Sequence, residues 1–362
     1  MVKVVVAMSG GMDSSVAAAL PKERGYKVIG VTMKIWAGGS THMEQTRHAY
    51  YGPGEEEDIE DARKVAQVLG IPFYAFDLKQ EYEIEVLDYF CQEYLLGRTA
   101  NPCVRCNHRI KFDALLEKAR DSGLEFNYFA TGHYAQVEYD ESKRRYLLRK
   151  ARDLRKDQSY FLFSLSQEQL GRSLFPLGSY AKGEVRKMAR ALGVGVEDKP
   201  ESQDFIAGSY SSLVEAAVQP GPILERQGGV LGQHRGIPFY TIGQRKELGI
   251  SSKEPLYVTA IDRERNAITV GTKEEVCGDE LIASELNWIA IEELRRPIEV
   301  KAKIRYRHKE AEAVVIPLDE DRVHVKFKEP QMAITLGQAI VFYDGAVVGG
   351  GTIEQVGKWG HG

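Results

Sequence analysis

The first candidate site is a short polar segment near the start of the chain, residues 9–15, with the sequence Ser-Gly-Gly-Met-Asp-Ser-Ser. Residues 2–8 before it are almost all apolar, which predicts a buried strand, and the residues after it favour a helix. A strand–turn–helix unit of this kind points backbone N–H groups and hydroxyls at a phosphate, and Gly10 and Gly11 permit close approach. No lysine ends the turn, which excludes a Walker A loop.

The second candidate site is a pair of cysteines three residues apart, Cys103 and Cys106. Two thiols with this spacing can bind one metal ion, close a disulfide or pass sulfur from one to the other. Three arginines flank the pair, Arg98, Arg105 and Arg109. We expect these positive charges to lower the thiol pKa values, which would favour all three uses.

Two resemblances follow from these segments. The first segment resembles the PP-loop of ATP pyrophosphatases, which cleave ATP between the α and β phosphates and adenylate a substrate oxygen. The whole chain resembles the bacterial tRNA-specific 2-thiouridylase family, which thiolates uridine at wobble position 34. The second resemblance also depends on motifs at residues 97–107, 110–112, 131–134, 156–160, 239–245, 305–307 and 349–351.

The family resemblance implies roles for individual residues. ATP contacts are implied for Ala7, Met8, Ser9, Gly10, Gly11, Met12, Asp13, Ser14, Met33 and Gly132. Contacts with tRNA are implied for Asn101, Pro102, Cys103, His133, Lys156, Asp157, Gln158, Arg305, Tyr306 and Gln338, the first three against the target base. Cys106 matches the nucleophile, and Asp13 and Cys103 are the other catalytic candidates. ATP with Mg²⁺, the anticodon stem-loop of tRNA and a sulfur donor, either a persulfide carrier protein or sulfide, are therefore expected.

The chain departs from the family pattern at the cysteine that carries the persulfide. Family members place it in a segment like Ser-x-x-Ile-Cys-Phe, whereas the matching residues 201–207 contain no cysteine. Two mechanisms remain. In one, Cys106 carries a persulfide and Cys103 resolves it as a disulfide. In the other, Cys103, Cys106 and Asp204 hold a 4Fe–4S cluster whose open iron binds sulfide; we favour the cluster slightly, because the usual sulfur carrier is missing.

Two groups of basic residues favour RNA contact over an ordinary solvated surface. Residues 141–158 contain more basic than acidic side chains, with aromatic residues interleaved, as RNA-stacking surfaces have. The second group alternates along a predicted strand, which places all its side chains on one face. Its members are Lys301, Lys303, Arg305, Arg307 and Lys309.

The order of the elements predicts an α/β fold with a second, all-β part. Apolar strand segments alternate with amphipathic helical segments in the first half, which predicts a parallel, doubly wound sheet with ligands at the carboxyl ends of its strands. From about residue 299 the pattern favours an antiparallel β-barrel. The predicted parts are a PP-loop (adenine nucleotide alpha hydrolase-like) catalytic domain at 1–207, a small central domain at 208–275 and an RNA-binding barrel at 276–362.

The overall composition excludes several classes of protein. The net charge of −4 argues against general affinity for nucleic acid, although a local basic surface remains compatible with it. No apolar span is long enough for a membrane helix, and no secretory signal pattern opens the chain. Four cysteines in 362 residues are too few for a disulfide framework. We therefore expect a cytoplasmic protein without a membrane partner.

The resemblance and the residues together favour ATP-dependent 2-thiolation of uridine 34 in tRNA. The expected reaction adenylates the uracil O2 and then transfers sulfur. A small-molecule PP-loop ligase or amidotransferase is the first alternative, and it explains the loop but not the cysteine pair. A non-catalytic RNA-binding adaptor is the second, and it leaves the loop without a use. ATP–pyrophosphate exchange with and without tRNA distinguishes the three.

Overall fold

A computed structural model of the chain contains a parallel sheet, a small mixed sheet and a closed barrel, in that order. It describes residues 1–38, 49–193, 195–196, 204–206, 213 and 218–357. The predicted fold class, a parallel doubly wound PP-loop domain followed by a central domain and an antiparallel β-barrel, is confirmed. No helix in the described part is long and apolar enough to cross a membrane.

The first part of the chain is built on a five-stranded parallel sheet with the order β4–β2–β1–β5–β8. Strands β2 and β4 lie on one side of β1, and the later strands β5 and β8 lie on the other side. Strand order therefore reverses between β1 and β5, and ligands bind in the crevice at such a reversal. The strands here are β1 (Lys3–Ala7), β2 (Lys27–Lys34), β3 (Ala49–Tyr51), β4 (Phe73–Asp77), β5 (Tyr128–Ala130), β6 (Ala135–Asp140), β7 (Arg145–Lys150), β8 (Ser173–Leu174) and β9 (Asp204–Ile206).

Helices cover both faces of this sheet, so β1 is buried on each side. Val4 and Val6 belong to one apolar core and Val5 to the other, and none of the three is exposed. This alternation explains the unbroken apolar run in the sequence. The helices are α1 (Met12–Glu23), α2 (Glu55–Leu69), α3 (Lys79–Tyr82), α4 (Tyr89–Leu95), α5 (Pro102–Arg105), α6 (Leu115–Asp121), α7 (Gln167–Gly171) and α8 (Lys182–Leu192), with π-helical turns at Glu83–Asp88 and Cys106–Ala114.

The remaining strands form two further sheets. The central sheet has the order β11–β10–β13–β12, and the barrel closes in the order β14–β17–β16–β15–β18–β19. Closure leaves the barrel without an unpaired edge. These strands are β10 (Gly221–Glu225), β11 (Val230–His234), β12 (Tyr257–Asp262), β13 (Ala267–Gly271), β14 (Cys277–Trp288), β15 (Ile298–Lys303), β16 (Ala311–Pro317), β17 (Val323–Met332), β18 (Ala339–Asp344) and β19 (Ala346–Val356).

The predicted row of five basic side chains on one strand face is wrong. Strand β15 ends at Lys303, so the alternation of side chains does not continue through residues 305–309. The Lys303 ammonium lies over the rings of Tyr160 and Tyr306, at 5.9 and 5.4 Å from their centroids. The pattern failed because alternation along a sequence does not reveal where a strand ends.

The turn after β1 provides a first test of the fold. Gly10 has a φ of +70°, and a Cβ atom there would lie 2.2 Å from the carbonyl oxygen of Asp58 in α2. We expect Gly10→Ala to lower the free energy of unfolding by about 2–4 kcal/mol, because both the backbone and the neighbouring helix must move. Urea denaturation measures this loss.

Gly11→Ala is the matched control. Gly11 has a φ of −95°, and the nearest atom to its added Cβ is the Ser9 hydroxyl at 3.5 Å. We expect a change within about 1 kcal/mol. Equal losses in the two variants would contradict the close packing assigned to Gly10.

Candidate active site

A cleft lies at the carboxyl ends of β1, β2 and β5, where strand order reverses. Its lining includes most of the residues predicted to contact ATP: Ala7, Met8, Ser9, Asp13, Ser14, Met33 and Gly132. The other three do not line it. Gly10 and Gly11 form the turn, and Met12, the first residue of α1, is buried in the core.

Side-chain hydrogen bonds hold the glycine turn in shape. The Ser9 N–H donates to the Ser14 hydroxyl at 3.1 Å, and the hydroxyls of Ser14 and Ser15 donate to the Gly11 carbonyl at 3.0 and 2.9 Å. A Cβ atom on Gly132 would lie 3.1 Å from the backbone nitrogen of Ser14, so glycine lets the loop after β5 approach the turn closely. These hydrogen bonds fix the turn at the start of α1, and the first backbone N–H groups of a helix, which have no acceptor within it, suit a bound phosphate.

Asp13 is anchored by two partners that the sequence did not suggest. The Lys182 ammonium lies 2.8 and 2.7 Å from its two carboxylate oxygens, and the Tyr134 hydroxyl donates to it at 2.8 Å. Lys182 is 8% exposed and belongs to the first turn of α8. A lysine is unfavourable at the N-terminus of a helix, where the helix dipole is positive, unless an anion compensates its charge. This position was the one feature of the sequence that indicated an acidic partner for Lys182.

The cysteine pair lies near the start of a long helical segment. Asn101 caps α5 by accepting the Val104 N–H at 3.3 Å, and Pro102 occupies the first turn. The helix then continues with π-type geometry through Cys106–Ala114. Cys103 is exposed and Cys106 is buried, both as free thiols.

The two thiols are less acidic than the flanking arginines led us to expect. Burial raises the pKa of Cys106 to about 11, although the positive charge of Lys111 partly opposes the rise. The surrounding protein also raises the pKa of Cys103, and because solvent reaches this residue the desolvation is partly relieved.

The prediction of lowered pKa values is therefore wrong, and the positions of the arginines explain part of the error. The Arg98 and Arg105 side chains form ion pairs with Glu93 and Glu85, each at 2.8 Å, so their charges are largely compensated. Desolvation by the protein outweighs what remains.

Lys111 connects the cleft with the cysteine pair. It lines the cleft, and its ammonium donates to the Asn107 side chain at 3.1 Å. Its charge acts on both thiols and on the imidazole of His133. Lys111 belongs to the motif at residues 110–112, from which no role for it was predicted.

Two of the residues predicted to contact tRNA, His133 and Gln158, line the same cleft. Burial and the charge of Lys111 hold the pKa of His133 well below its usual range, so the ring is neutral at physiological pH. Its Nδ1 is 2.8 Å from the Thr131 hydroxyl. The Gln158 side chain accepts the Tyr134 N–H at 2.9 Å.

Other predicted tRNA residues make contacts between parts of the chain. The Arg305 guanidinium donates to the carbonyls of Ile242 and Ala333 at 3.1 and 2.8 Å. The Gln338 side chain donates to the carbonyls of residues 99 and 100 at 3.1 and 3.0 Å. The bonds to Ile242 and to residues 99 and 100 join the barrel to the segment between β11 and β12 and to the segment before the cysteine pair.

Asp157 and Tyr306 also lie among protein groups. The buried Asp157 carboxylate accepts the Ala151 N–H at 3.0 Å and the Ser159 hydroxyl at 2.8 Å. The Tyr306 ring packs 4.4 Å from that of Phe161. The tRNA roles of all these residues stay predictions.

Four of the eight basic residues in the segment 141–158 form ion pairs with acidic side chains. Its ion pairs are Arg149–Glu138, Lys150–Glu310, Arg152–Glu184 and Arg155–Asp153. The Lys156 N–H donates to the Asp153 carbonyl at 2.9 Å. The pairing reduces the positive charge that this segment offers to RNA.

The described residues contain no group of three His, Cys, Asp or Glu side chains that could hold a metal ion. Asp204, the third predicted ligand of a cluster, belongs to β9, which pairs in parallel with β3. The side chain of Asp204 lies outside the described part. The described donors at the cysteine pair are therefore two thiols, one fewer than the predicted cluster needs.

A glycine turn at the strand-order reversal of a parallel sheet defines a nucleotide-binding domain of the HUP class. Family models agree: the tRNA methyl transferase HUP domain matches residues 2–207, the tRNA methyl transferase PRC-barrel domain matches 213–272 and the Aminomethyltransferase beta-barrel domain matches 278–353.

Curated relatives extend the match over nearly the whole chain. The tRNA-specific 2-thiouridylase MnmA 1 of Caldanaerobacter subterraneus subsp. tengcongensis is 50% identical over 369 residues, covering 98% of each chain. The tRNA-specific 2-thiouridylase MnmA of Acetivibrio thermocellus is 47% identical and covers 98% of this chain and 99% of its own. The chain belongs to the tRNA-specific 2-thiouridylase family, and the resemblance noted in the sequence is confirmed.

The Asp13–Lys182 ion pair yields a prediction for stability. Lys182→Met should lower the free energy of unfolding by roughly 2–3 kcal/mol, because it leaves a partly buried carboxylate without its counter-charge. Chemical denaturation measures the loss. Adding Asp13→Asn to Lys182→Met should recover part of it, since no unpaired charge then remains.

Lys187→Met is the control for this prediction, because Lys187 is an exposed lysine on the same helix. It should change stability by less than about 0.5 kcal/mol. If both lysine variants are equally stable, the ion pair with Asp13 contributes nothing measurable.

Proposed function

We propose that this protein transfers sulfur to C2 of uridine 34 in tRNA in an ATP-dependent reaction in the cytoplasm. One observation carries the proposal: the cleft that contains the PP-loop is also lined by Lys111, His133 and Gln158. The helix of Lys111 begins with the cysteine pair, so groups for nucleotide, base and sulfur lie on adjacent elements. The printed names of the full-length relatives support the same activity.

The first step would be adenylation of the base. The uracil O2 attacks the α-phosphorus of ATP, pyrophosphate leaves, and the N3 proton is lost as the C2–O2 bond becomes single. The backbone N–H groups at the start of α1, in the turn that the Ser9 and Ser14 bonds hold in shape, would orient the phosphates and stabilise their negative charge. Mg²⁺ would be held mainly by the phosphates and would supply Lewis-acid charge, with Asp13 as the carboxylate in the cleft lining.

The base would reach this cleft by leaving its stack, because C2 of a stacked uridine is not accessible to a buried thiol. The cap of α5 at Asn101 and the following Pro102 would border its path to Cys103. A neutral His133 would suit the cleft that receives the base. Its ring lies 6.2 Å from Phe112 and would extend an apolar surface without adding a charge.

The second step would transfer sulfur by the persulfide route. The terminal sulfur of a Cys106 persulfide attacks C2, and AMP departs with O2, which leaves the base joined to Cys106 through a disulfide. The Cys103 thiolate then attacks the Cys106 sulfur, which releases 2-thiouridine and leaves a Cys103–Cys106 disulfide. The two thiols already interact electrostatically, and solvent access at Cys103 would admit the dithiol reductant that reopens the bond.

The persulfide route is preferred here to the cluster favoured by the sequence alone. This route needs only the two thiols, which are both free, whereas the cluster also needs Asp204, whose side chain lies outside the described part. The source of the sulfur is proposed to be a persulfide carrier protein, or sulfide that attacks the Cys103–Cys106 disulfide and so leaves a persulfide on Cys106 and a thiolate on Cys103. A small-molecule ligase would use the cleft but would not require the second thiol.

A single-turnover experiment tests the proposal. Iron-free protein is loaded with persulfide by polysulfide, desalted and mixed with ATP and a tRNA transcript. We expect up to one 2-thiouridine per enzyme by mass spectrometry of the digested tRNA, and none with a transcript that has cytidine at position 34. Cys106→Ser should give no product, yet keep tRNA-dependent ATP–pyrophosphate exchange.

Cys103→Ser separates the two sulfur mechanisms. In the persulfide route this variant should stop at a covalent enzyme–tRNA adduct that a dithiol releases, because nothing resolves the mixed disulfide. Cys277→Ser, in the barrel, is the matched control and should form product normally. Product formation that requires added iron, with no adduct in Cys103→Ser, would establish the cluster instead.

A further inference from the structure

We propose that Lys111 is a charge-compensating residue with two roles. Its ammonium group stabilises the negative charge of the bound nucleotide, and it also favours the ionised form of the thiols of Cys103 and Cys106. This inference rests on the proposed function and adds a residue to it. Three observations lead to it: the place of Lys111 in the cleft, its alignment with Cys106 on a π-helical turn, and the surroundings of the two sulfurs.

Lys111 has direct access to the nucleotide cleft. It shares the lining with Ser9 and Ser14, whose groups form the phosphate-binding turn, and with His133. A cation at this position is next to the place where negative charge accumulates when the α-phosphate is attacked. His133 cannot supply that charge, because its pKa is held well below the usual range.

The helix geometry brings Lys111 onto the face of Cys106. The two residues are five apart, which in an α-helix places them on different faces. Residues Cys106–Ala114 instead form a π-helix, whose hydrogen bonds run from residue i to i+5 and stack such residues more nearly above one another. π-Helical turns are rare, and many of them occur at functional sites.

The ammonium is held in place by a second side chain. Asn107 accepts its proton at 3.1 Å and donates through its own Nδ2 to the Phe161 carbonyl at 3.1 Å. Asn107 is 2% exposed, so this amide is fixed by its surroundings. Lys111 therefore has a defined position between the cleft and the thiols.

The thiols need such a charge because the protein desolvates them. Burial raises the pKa of Cys106, the neighbouring Cys103 raises it further, and Lys111 is the charge that opposes both. The same lysine also opposes the rise at Cys103. Without it, a smaller fraction of either thiol would be ionised, and the thiolate is the species that reacts.

The test measures thiol reactivity and ATP affinity without any tRNA. Iodoacetamide alkylation of Cys103 and Cys106 is followed by site-resolved mass spectrometry over a range of pH. In Lys111→Met we expect both rates to fall about twofold or more below the thiol pKa, and the pH profile to move to higher pH. ATP should bind roughly fivefold more weakly, and Lys111→Arg should restore both properties in large part.

Lys118→Met is the matched control. It removes one positive charge from α6 of the same helical segment, where Lys118 forms an ion pair with Glu81 at 2.8 Å. Both rates and the ATP affinity should stay at wild-type values. Lys111→Gln provides a second neutral variant if the Met variant does not fold, as judged by its thermal unfolding.

Each outcome decides the inference. Unchanged alkylation profiles in both neutral variants overturn it, and so does an equal loss in Lys118→Met, which would be an effect of net charge. Slower alkylation with unchanged ATP affinity contradicts the sharing of the charge. If wild-type protein forms no 2-thiouridine while the Lys111 effects appear as expected, the proposed function fails and the assignment of Lys111 stands.

Discussion

The organisation of the catalytic domain depends on one close contact, in which the backbone of Gly10 lies against the carbonyl of Asp58. An added Cβ would meet that oxygen at 2.2 Å, and the positive φ of Gly10 already disfavours other residues. The contact joins the turn after β1 to α2. This turn positions Ser9 and Ser14. Lys182 completes the arrangement by tying α1 to α8 through Asp13. The turn that is predicted to bind phosphate is therefore shaped by packing within the protein.

Desolvation controls the acidity of the cysteine pair. A buried thiol resists ionisation, so Cys106 would be a poor nucleophile without compensation. The charge of Lys111, which lines the cleft, opposes the rise in the pKa of both thiols. A buried and weakly acidic thiol has one advantage. It reacts slowly with adventitious oxidants, and its reactivity depends on charges that the site itself supplies.

The barrel contributes to the site through its contacts with the rest of the chain. Arg305 donates to the carbonyl of Ile242, between β11 and β12, and to that of Ala333, directly after β17. Gln338 donates to the carbonyls of residues 99 and 100, directly before the cap of α5. Both positions match tRNA contacts in the family, and both are engaged within the protein. Binding of tRNA at these residues would therefore act on the segment that holds the cysteine pair, which offers a physical link between the RNA surface and the thiols.

The sequence by itself determined the parallel sheet, the phosphate-binding turn and the cysteine pair, because these depend on local properties. Apolar runs identify buried strands, and glycines identify the turn. Only the tertiary structure decided the partners of Asp13, the position of Lys111 and the burial of the thiols. Lys182 is far from Asp13 in the sequence, and the five-residue spacing of Cys106 and Lys111 suggests separate faces until the π-helical turn is known. The prediction of lowered thiol pKa values from the neighbouring arginines failed for the same reason. Thiol acidity depends on burial and on which charges are already paired, and both arise from contacts between distant parts of the chain.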